Sequence, residues 1–218
     1  MILIPVKNLD TAKQRLASVL DQPARTALAQ VMLQDVFARL AEWTQRPDVA
    51  VVTSDPFAVE LAQSHGFEVI PDPANPGETG AIEMATRLCE ARGVDSTLVI
   101  PADIPLIQCW ELEEIMAQAP QEGSVLVPAG DGRGTNAVFR RPAGLFPLRF
   151  GNDSFKPHVA AAQATQKPCI VLELPGIAID IDNAADLRQL ISSPVDTRTQ
   201  RLAREWGVGD RLTLAESG

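Results

Sequence analysis

Apolar residues recur along this chain in two alternating rhythms. Short unbroken runs, "ILIPV" at 2–6, "VAVVTS" at 49–54, "FEVI" at 67–70, "STLVIPAD" at 96–103 and "SVLVPA" at 124–129, read as strands buried on both faces. Between them the spacing changes to the three-to-four rhythm of a helix over 11–20, 23–44, 57–64, 79–91 and 110–119. Pro23 suits a helix start, where its missing donor has no intrahelical partner to lose. Ile82, Ala85 and Leu88 mark the inner stripe of the fourth helix. Beyond residue 130 the order loosens. "TNAVFR" at 135–140, "CIVLEL" at 169–174 and "AIDI" at 178–181 read as strands, 154–165 and 184–191 as helices, and 197–206 as an amphipathic helix or a tail.

Alternating strands and helices predict an α/β fold with a mainly parallel sheet covered on both faces, and the looser second half predicts some antiparallel pairing. A chain of 218 residues, 45% hydrophobic, is enough for one sizeable core. We expect one domain over 1–192 and a peripheral helix or tail over 193–218. The 17 prolines and 14 glycines are scattered as turn signals and do not gather into a linker.

Charge narrows the partners. Nineteen Lys and Arg against 28 Asp and Glu leave a formal charge of -9, which repels polyanions and argues against a nucleic-acid partner. No apolar run approaches the roughly 20 residues of a bilayer span, and no leader is recognisable, so a cytoplasmic protein without membrane contact is expected. Cys89, Cys109 and Cys169 form no CxxC pair, which argues against a disulfide framework or a zinc site. The chain contains no GxxxxGK[ST] loop, no GxGxxG after the first strand and no GxSxG elbow. A P-loop is thereby excluded, and dinucleotide binding and a serine-triad hydrolase lose their usual signatures.

In an open parallel sheet, ligands gather beyond the carboxyl ends of the strands. Asp103 ends the run "VIPAD" in a proline-bracketed turn, where a rigid carboxylate suits Mg²⁺. Asp180 and Asp182 are its natural partners, on one face if "AIDID" is a strand. The same residues also serve as a turn residue at 103 and a helix cap at 182 or 183. Gly130, Gly132 and Gly134 lie in the loop "GDGRGTN", whose backbone amides either form an anion-binding concavity or close an ordinary hairpin turn. Gly151 and Ser154, in "FGNDSFKPH", precede a helix start that either points donors at an anion or simply caps itself. Lys7, Lys13 and Arg15 form a basic island attractive to a triphosphate. His65 reads as a helix end and His158 as a structural or solvent-facing residue.

In this order, "LIPVKNLDTAKQRL", "VIPADIPL", "GDGRGTNAVF", "FGNDSFKPH" and "IAIDIDNAADL" resemble the phospholactate guanylyltransferase family of deazaflavin coenzyme biosynthesis, over about residues 1–190. The pair "GTN" and "FG..SF..H" is its more specific part. The resemblance implies a three-layer α/β/α sandwich of the nucleotide-diphospho-sugar transferase-like kind. It also implies a Mg²⁺-dependent transfer of GMP from GTP to 2-phospho-L-lactate or phosphoenolpyruvate, with release of pyrophosphate; the reactivity of such a phosphoanhydride product, by itself, leads us to expect handover to the next transferase. By that resemblance Asp103 and Asp182 match the metal acids, with Asp180 as the alternative. Thr135, Gly151 and Ser154 match the acceptor site, and Lys13 and Arg15 face the triphosphate. Two departures stand out. Gly77-Glu78-Thr79-Gly80 replaces the usual Gly-Leu-Asn, which bears on base choice, and the less acidic "GDGRGTN" admits 3-phosphoglycerate as acceptor. The competing readings are a molybdopterin or sugar-phosphate nucleotidyltransferase, and a non-catalytic nucleotide-binding domain.

Overall fold

β1 (Ile2–Pro5) is buried at every position, and its pleat sends Ile2 and Ile4 to one face of the sheet and Leu3 to the other. The computed structural model describes residues 1–74, 77–151 and 153–208. β2 (Val49–Thr53) repeats the pattern, with Val49 and Val51 on one side and Ala50 and Val52 on the other. β3 (Glu68–Pro71), β4 (Thr97–Val99), β5 (Gly123–Pro128), β6 (Thr135–Arg141) and β7 (Cys169–Val171) complete a seven-stranded sheet of order β3-β2-β1-β4-β6-β5-β7. β1 pairs in parallel with β2 and β4, β2 with β3, and β5 with β7, whereas β6 runs antiparallel to both its neighbours. The sheet is therefore mixed and mainly parallel.

Two apolar layers follow. α1 (Gln22–Glu42) buries Leu28, Met32, Leu33, Val36, Phe37 and Leu40 on the layer that also receives α2 (Pro56–Ser64), α4 (Cys109–Gln118) and α6 (Ala184–Ser192). Asp21 caps α1 by accepting the Ala24 N–H at 2.9 Å, with Pro23 in the first turn. α3 (Glu78–Ala91) and α5 (Phe155–Ala164) cover the opposite face. The result is an α/β/α sandwich. α7 (Arg198–Glu205) is anchored to α1 through the buried Asp35, which accepts the Thr199 N–H at 2.8 Å and its hydroxyl at 2.6 Å. The end of the expected tail, 209–218, lies outside the described residues. Among the described residues, no helix is long and apolar enough to cross a membrane.

Three segments depart from the periodicity. Over 11–20 no α-helix forms; 3-10 turns at Leu9–Thr11 and Gln14–Leu16 flank Lys13, whose φ of 56° is left-handed. "AIDI" is not a strand. It crosses the sheet's end, giving the Ile181 N–H to the Asp103 carbonyl at 3.1 Å and accepting the Gly130 N–H on Ala178 at 2.7 Å, so its backbone is satisfied by two strand exits in place of one ladder. β4 stops at Val99 because Pro101, two residues on, carries no donor.

Candidate active site

The exits of β1, β4 and β5 and the start of β6 surround a cavity of about 1020 Å³. It opens where the chain's crossovers change direction, between β1 and β4. Lys7, Lys13, Arg15, Asp103, Thr135, Gly151, Ser154, Asp180 and Asp182 all line it. The residues singled out from sequence are thus brought to one place.

One wall is acidic. Lys13 Nζ, 7% exposed, lies 2.5 Å from Asp103 Oδ2 and 2.8 Å from Asp182 Oδ1. Burial alone would lower its pKa, but the two carboxylates hold it above the ordinary lysine value. Burial likewise pushes Asp182 up, and the Lys13 ammonium outweighs this, holding its carboxyl below the usual range. Arg15 reaches the other oxygen of Asp182 at 3.5 Å. Asn183, not Asp182, caps α6, accepting the Ala185 N–H at 2.8 Å, so Asp182 is left for the cavity.

Asp180 lines the same cavity but is engaged by Asn136. It accepts the Asn136 Nδ2–H at 3.0 Å, and burial, with the charges of Asp103 and Asp182, raises its pKa. The segment is not a strand, so strand alternation does not place 180 and 182, although both residues line the cavity. Lys7 pairs with the buried Asp72 at 2.7 Å. Glu78, at the start of α3, is pushed up to about 7 by burial and by the Asp103 charge.

The facing wall carries hydroxyls. Ser154 Oγ donates to Thr135 Oγ1 at 3.2 Å, and both residues are buried. Gly151, with φ of 118°, turns the chain between Phe150 and the α5 start in a conformation that favours glycine. The glycine loop between β5 and β6 is a self-closed turn, contrary to an open amide concavity. The Gly132 N–H goes to the Ala129 carbonyl at 2.8 Å, while Arg133 and Gly134 donate to Asp131 Oδ1 at 2.8 and 3.2 Å. The start of α5 is also committed in part, since Phe155 N–H donates to the Arg133 carbonyl at 2.8 Å. What this loop adds to the rim is the two-point Arg133–Asp153 ion pair, at 2.5 and 3.1 Å.

Two buried groups that sequence reasoning did not assign to the site support it. Glu111 of α4 accepts the Gly176 N–H at 2.6 Å and the Gln108 N–H at 2.9 Å, pinning the segment that leads to Asp180 and Asp182. His158 of α5 is 1% exposed and stands behind Thr135, with Nδ1 at 2.9 Å from Oγ1. Burial pushes its pKa down to about 4. His158 closes the "FG..SF..H" pattern, one helical turn after Ser154, but nothing in that pattern shows that it would stand behind Thr135.

The donor set fits a divalent cation. Hard oxygens of Asp103 and Asp182 already converge on one ammonium nitrogen, and a magnesium ion commonly takes one or two carboxylates and completes its shell from water and phosphate. Among the described residues no group of three or more His, Cys, Asp or Glu side chains is arranged around a metal position.

The mixed α/β/α sheet has the nucleotide-diphospho-sugar transferase-like fold. A Desulfovibrio desulfuricans structure described as a nucleotide-diphospho-sugar transferase superposes with a TM-score of 0.78 at 20% identity, covering 98% of this chain and 96% of its own. The family model "Guanylyl transferase CofC like" matches residues 1–213, and the chain belongs to that family. It is 34% identical over 204 residues to the phosphoenolpyruvate guanylyltransferase of Roseiflexus castenholzii, covering 94% of this chain and 93% of the relative. It is 33% identical over 206 residues to the 3-phospho-D-glycerate guanylyltransferase of Colwellia psychrerythraea, with 93% and 97% covered. Against the 2-phospho-L-lactate guanylyltransferase of Methanothermobacter thermautotrophicus it is 31% identical over 203 residues, with 93% and 89% covered.

Proposed function

We propose that this protein transfers GMP from GTP to the phosphate of a three-carbon phospho-acid, with phosphoenolpyruvate as the first-choice acceptor, using Mg²⁺ held by Asp103 and Asp182. The observation that carries this reading is the cleft itself: a carboxylate pair on one wall and the Thr135–Ser154 hydroxyl pair on the other share one cavity large enough for two ligands.

A bound Mg²⁺ would neutralise charge on the phosphates of GTP. Lys13 and Arg15 stand at the same acids, where they would offset charge on the phosphates of GTP. Thr135 and Ser154 hold the acceptor's anionic groups, and Gly151 lets the backbone approach them closely. A phosphate oxygen of the acceptor attacks the α-phosphorus of GTP, and the bond to the β-phosphate breaks with its electron pair leaving on pyrophosphate. The acceptor phosphate is already ionised at neutral pH, so no side chain has to remove a proton, and positioning supplies the catalysis. The product is a reactive phosphoanhydride, which suits rapid consumption by a following transferase in deazaflavin coenzyme assembly.

The test is pyrophosphate release with Mg²⁺, crossing GTP, CTP and ATP with phosphoenolpyruvate, 2-phospho-L-lactate and 3-phosphoglycerate. We expect a GTP-dependent signal with one of these acids. Turnover confined to sugar phosphates or molybdopterin would contradict the reading.

A further inference from the structure

Thr135 stands between the cavity and a buried histidine, and the direction of its hydroxyl proton follows from its neighbours. The backbone N–H of Arg149 donates to His158 Nε2 at 2.8 Å. An amide always carries its proton, so Nε2 must present a lone pair. The ring's own proton therefore sits on Nδ1 and is donated to Thr135 Oγ1, 2.9 Å away. Ser154 Oγ donates to the same oxygen at 3.2 Å. A hydroxyl oxygen accepts at most two hydrogen bonds. Both acceptor positions of Thr135 are taken, and its one proton remains for the cavity that it lines.

We propose that His158 is a positioning residue that makes Thr135 an obligate hydrogen-bond donor to the anionic acceptor. With the opposite tautomer Thr135 would give its proton to Nδ1 and turn a lone pair toward the anion. The Arg149 amide thus sets the polarity of a hydroxyl two bonds away along the chain of donors. Burial of the ring, which packs edge-on to Phe150 at 5.2 Å, keeps the histidine neutral and this arrangement intact. The proposal rests on the reading of the Thr135 wall as the acceptor site.

Two conservative variants separate this from a purely structural role. In His158→Asn the amide nitrogen falls near the place of Nδ1 and still donates to Thr135, while the Arg149 N–H loses its acceptor. In His158→Gln the amide oxygen falls near Nε2 and still accepts from Arg149, while Thr135 loses its donor. We expect His158→Gln to raise KM for phosphoenolpyruvate roughly tenfold, the size of one hydrogen bond to a charged group, with kcat and KM for GTP within about twofold. His158→Asn should stay within about threefold of the wild type. In a Thr135→Val background, His158→Gln should add less than about twofold, since both changes remove the same donor. A histidine that merely clamps the 149–151 segment predicts the reverse order, Gln milder than Asn, and that order would overturn the proposal.

¹⁵N NMR of the wild-type ring provides a readout that needs no activity. A proton on Nδ1 supports the proposal, and a proton on Nε2 overturns it whatever the kinetics. Wild-type protein that turns over none of the three acids would overturn the acceptor reading and the proposal with it. Active wild type with the wrong variant order or tautomer would overturn the proposal alone.

Discussion

Lys13 and His158 hold the two walls of the cleft by opposite devices. Lys13 adopts a left-handed φ of 56°, a conformation uncommon outside glycine, and the paired acids at 103 and 182 hold it there. His158 is held neutral by burial, and this has a consequence for stability. Its ordinary pKa of 6.5 falls to about 4 in the folded protein. Between these values the unfolded chain binds a proton that the folded chain does not, so stability rises with pH across the window. The contribution is complete above about pH 6.5 and is lost as pH falls toward 4, amounting to about 3 kcal/mol. Urea unfolding of wild type and His158→Gln between pH 7 and pH 4 should show a steeper loss for the wild type. Equal slopes would contradict the assignment.

At the scale of elements, the site depends on a segment that belongs to no strand. Residues 174–182 are tied to α4 by Glu111, which is fully buried and whose pKa burial raises. Gly176 is required at the contact, because a Cβ there would collide with the Glu111 carboxylate and the Leu106 carbonyl. Glu111→Ala strands the Gly176 and Gln108 amides, and we expect about 3 kcal/mol of lost stability together with a fall in kcat as Asp182 shifts. Glu111→Gln, which keeps an acceptor oxygen, should recover part of both. Thermal unfolding and initial rates check this; an unchanged kcat in a measurably destabilised Glu111→Ala would separate the segment from the chemistry.

Elements whose periodicity is local were legible in the sequence. β1 and β2 are unbroken apolar runs buried at every position, and α1 repeats its buried positions at three-to-four spacing, so each is readable from its own residues. The stretch around Lys13 was not legible as a pair of 3-10 turns, because the ion pairs that set its backbone come from residues 90 and 169 positions away. "AIDI" has a strand's pattern but hydrogen-bonds to two different strand exits. The choice between an open and a closed glycine loop was not legible, because sequence shows amides without showing that Asp131 would turn back to take two of them. The site's residue types were readable from motif order, whereas Glu111 has no motif of its own and the motif that ends at His158 does not reveal its buried hydrogen bond to Thr135.

The whole molecule carries a formal charge of -9, and its cleft adds Asp103, Asp180, Asp182 and Glu78 to a place we assign to a triphosphate. Such a field repels a polyanion unless a cation accompanies it, which makes the carboxylate pair the hinge of the account. The fold and family establish a guanylyl transferase scaffold, and the cavity at the sheet's switch point brings the two proposed substrate walls together. The most direct measurement is ³¹P NMR of GTP and phosphoenolpyruvate with Mg²⁺, following the new phosphoanhydride and free pyrophosphate in wild type and in folded Asp103→Asn. We predict both signals growing together in the wild type and neither above background in Asp103→Asn. Full turnover by Asp103→Asn, or no phosphoanhydride from folded wild type with any of the three acids, would contradict the account.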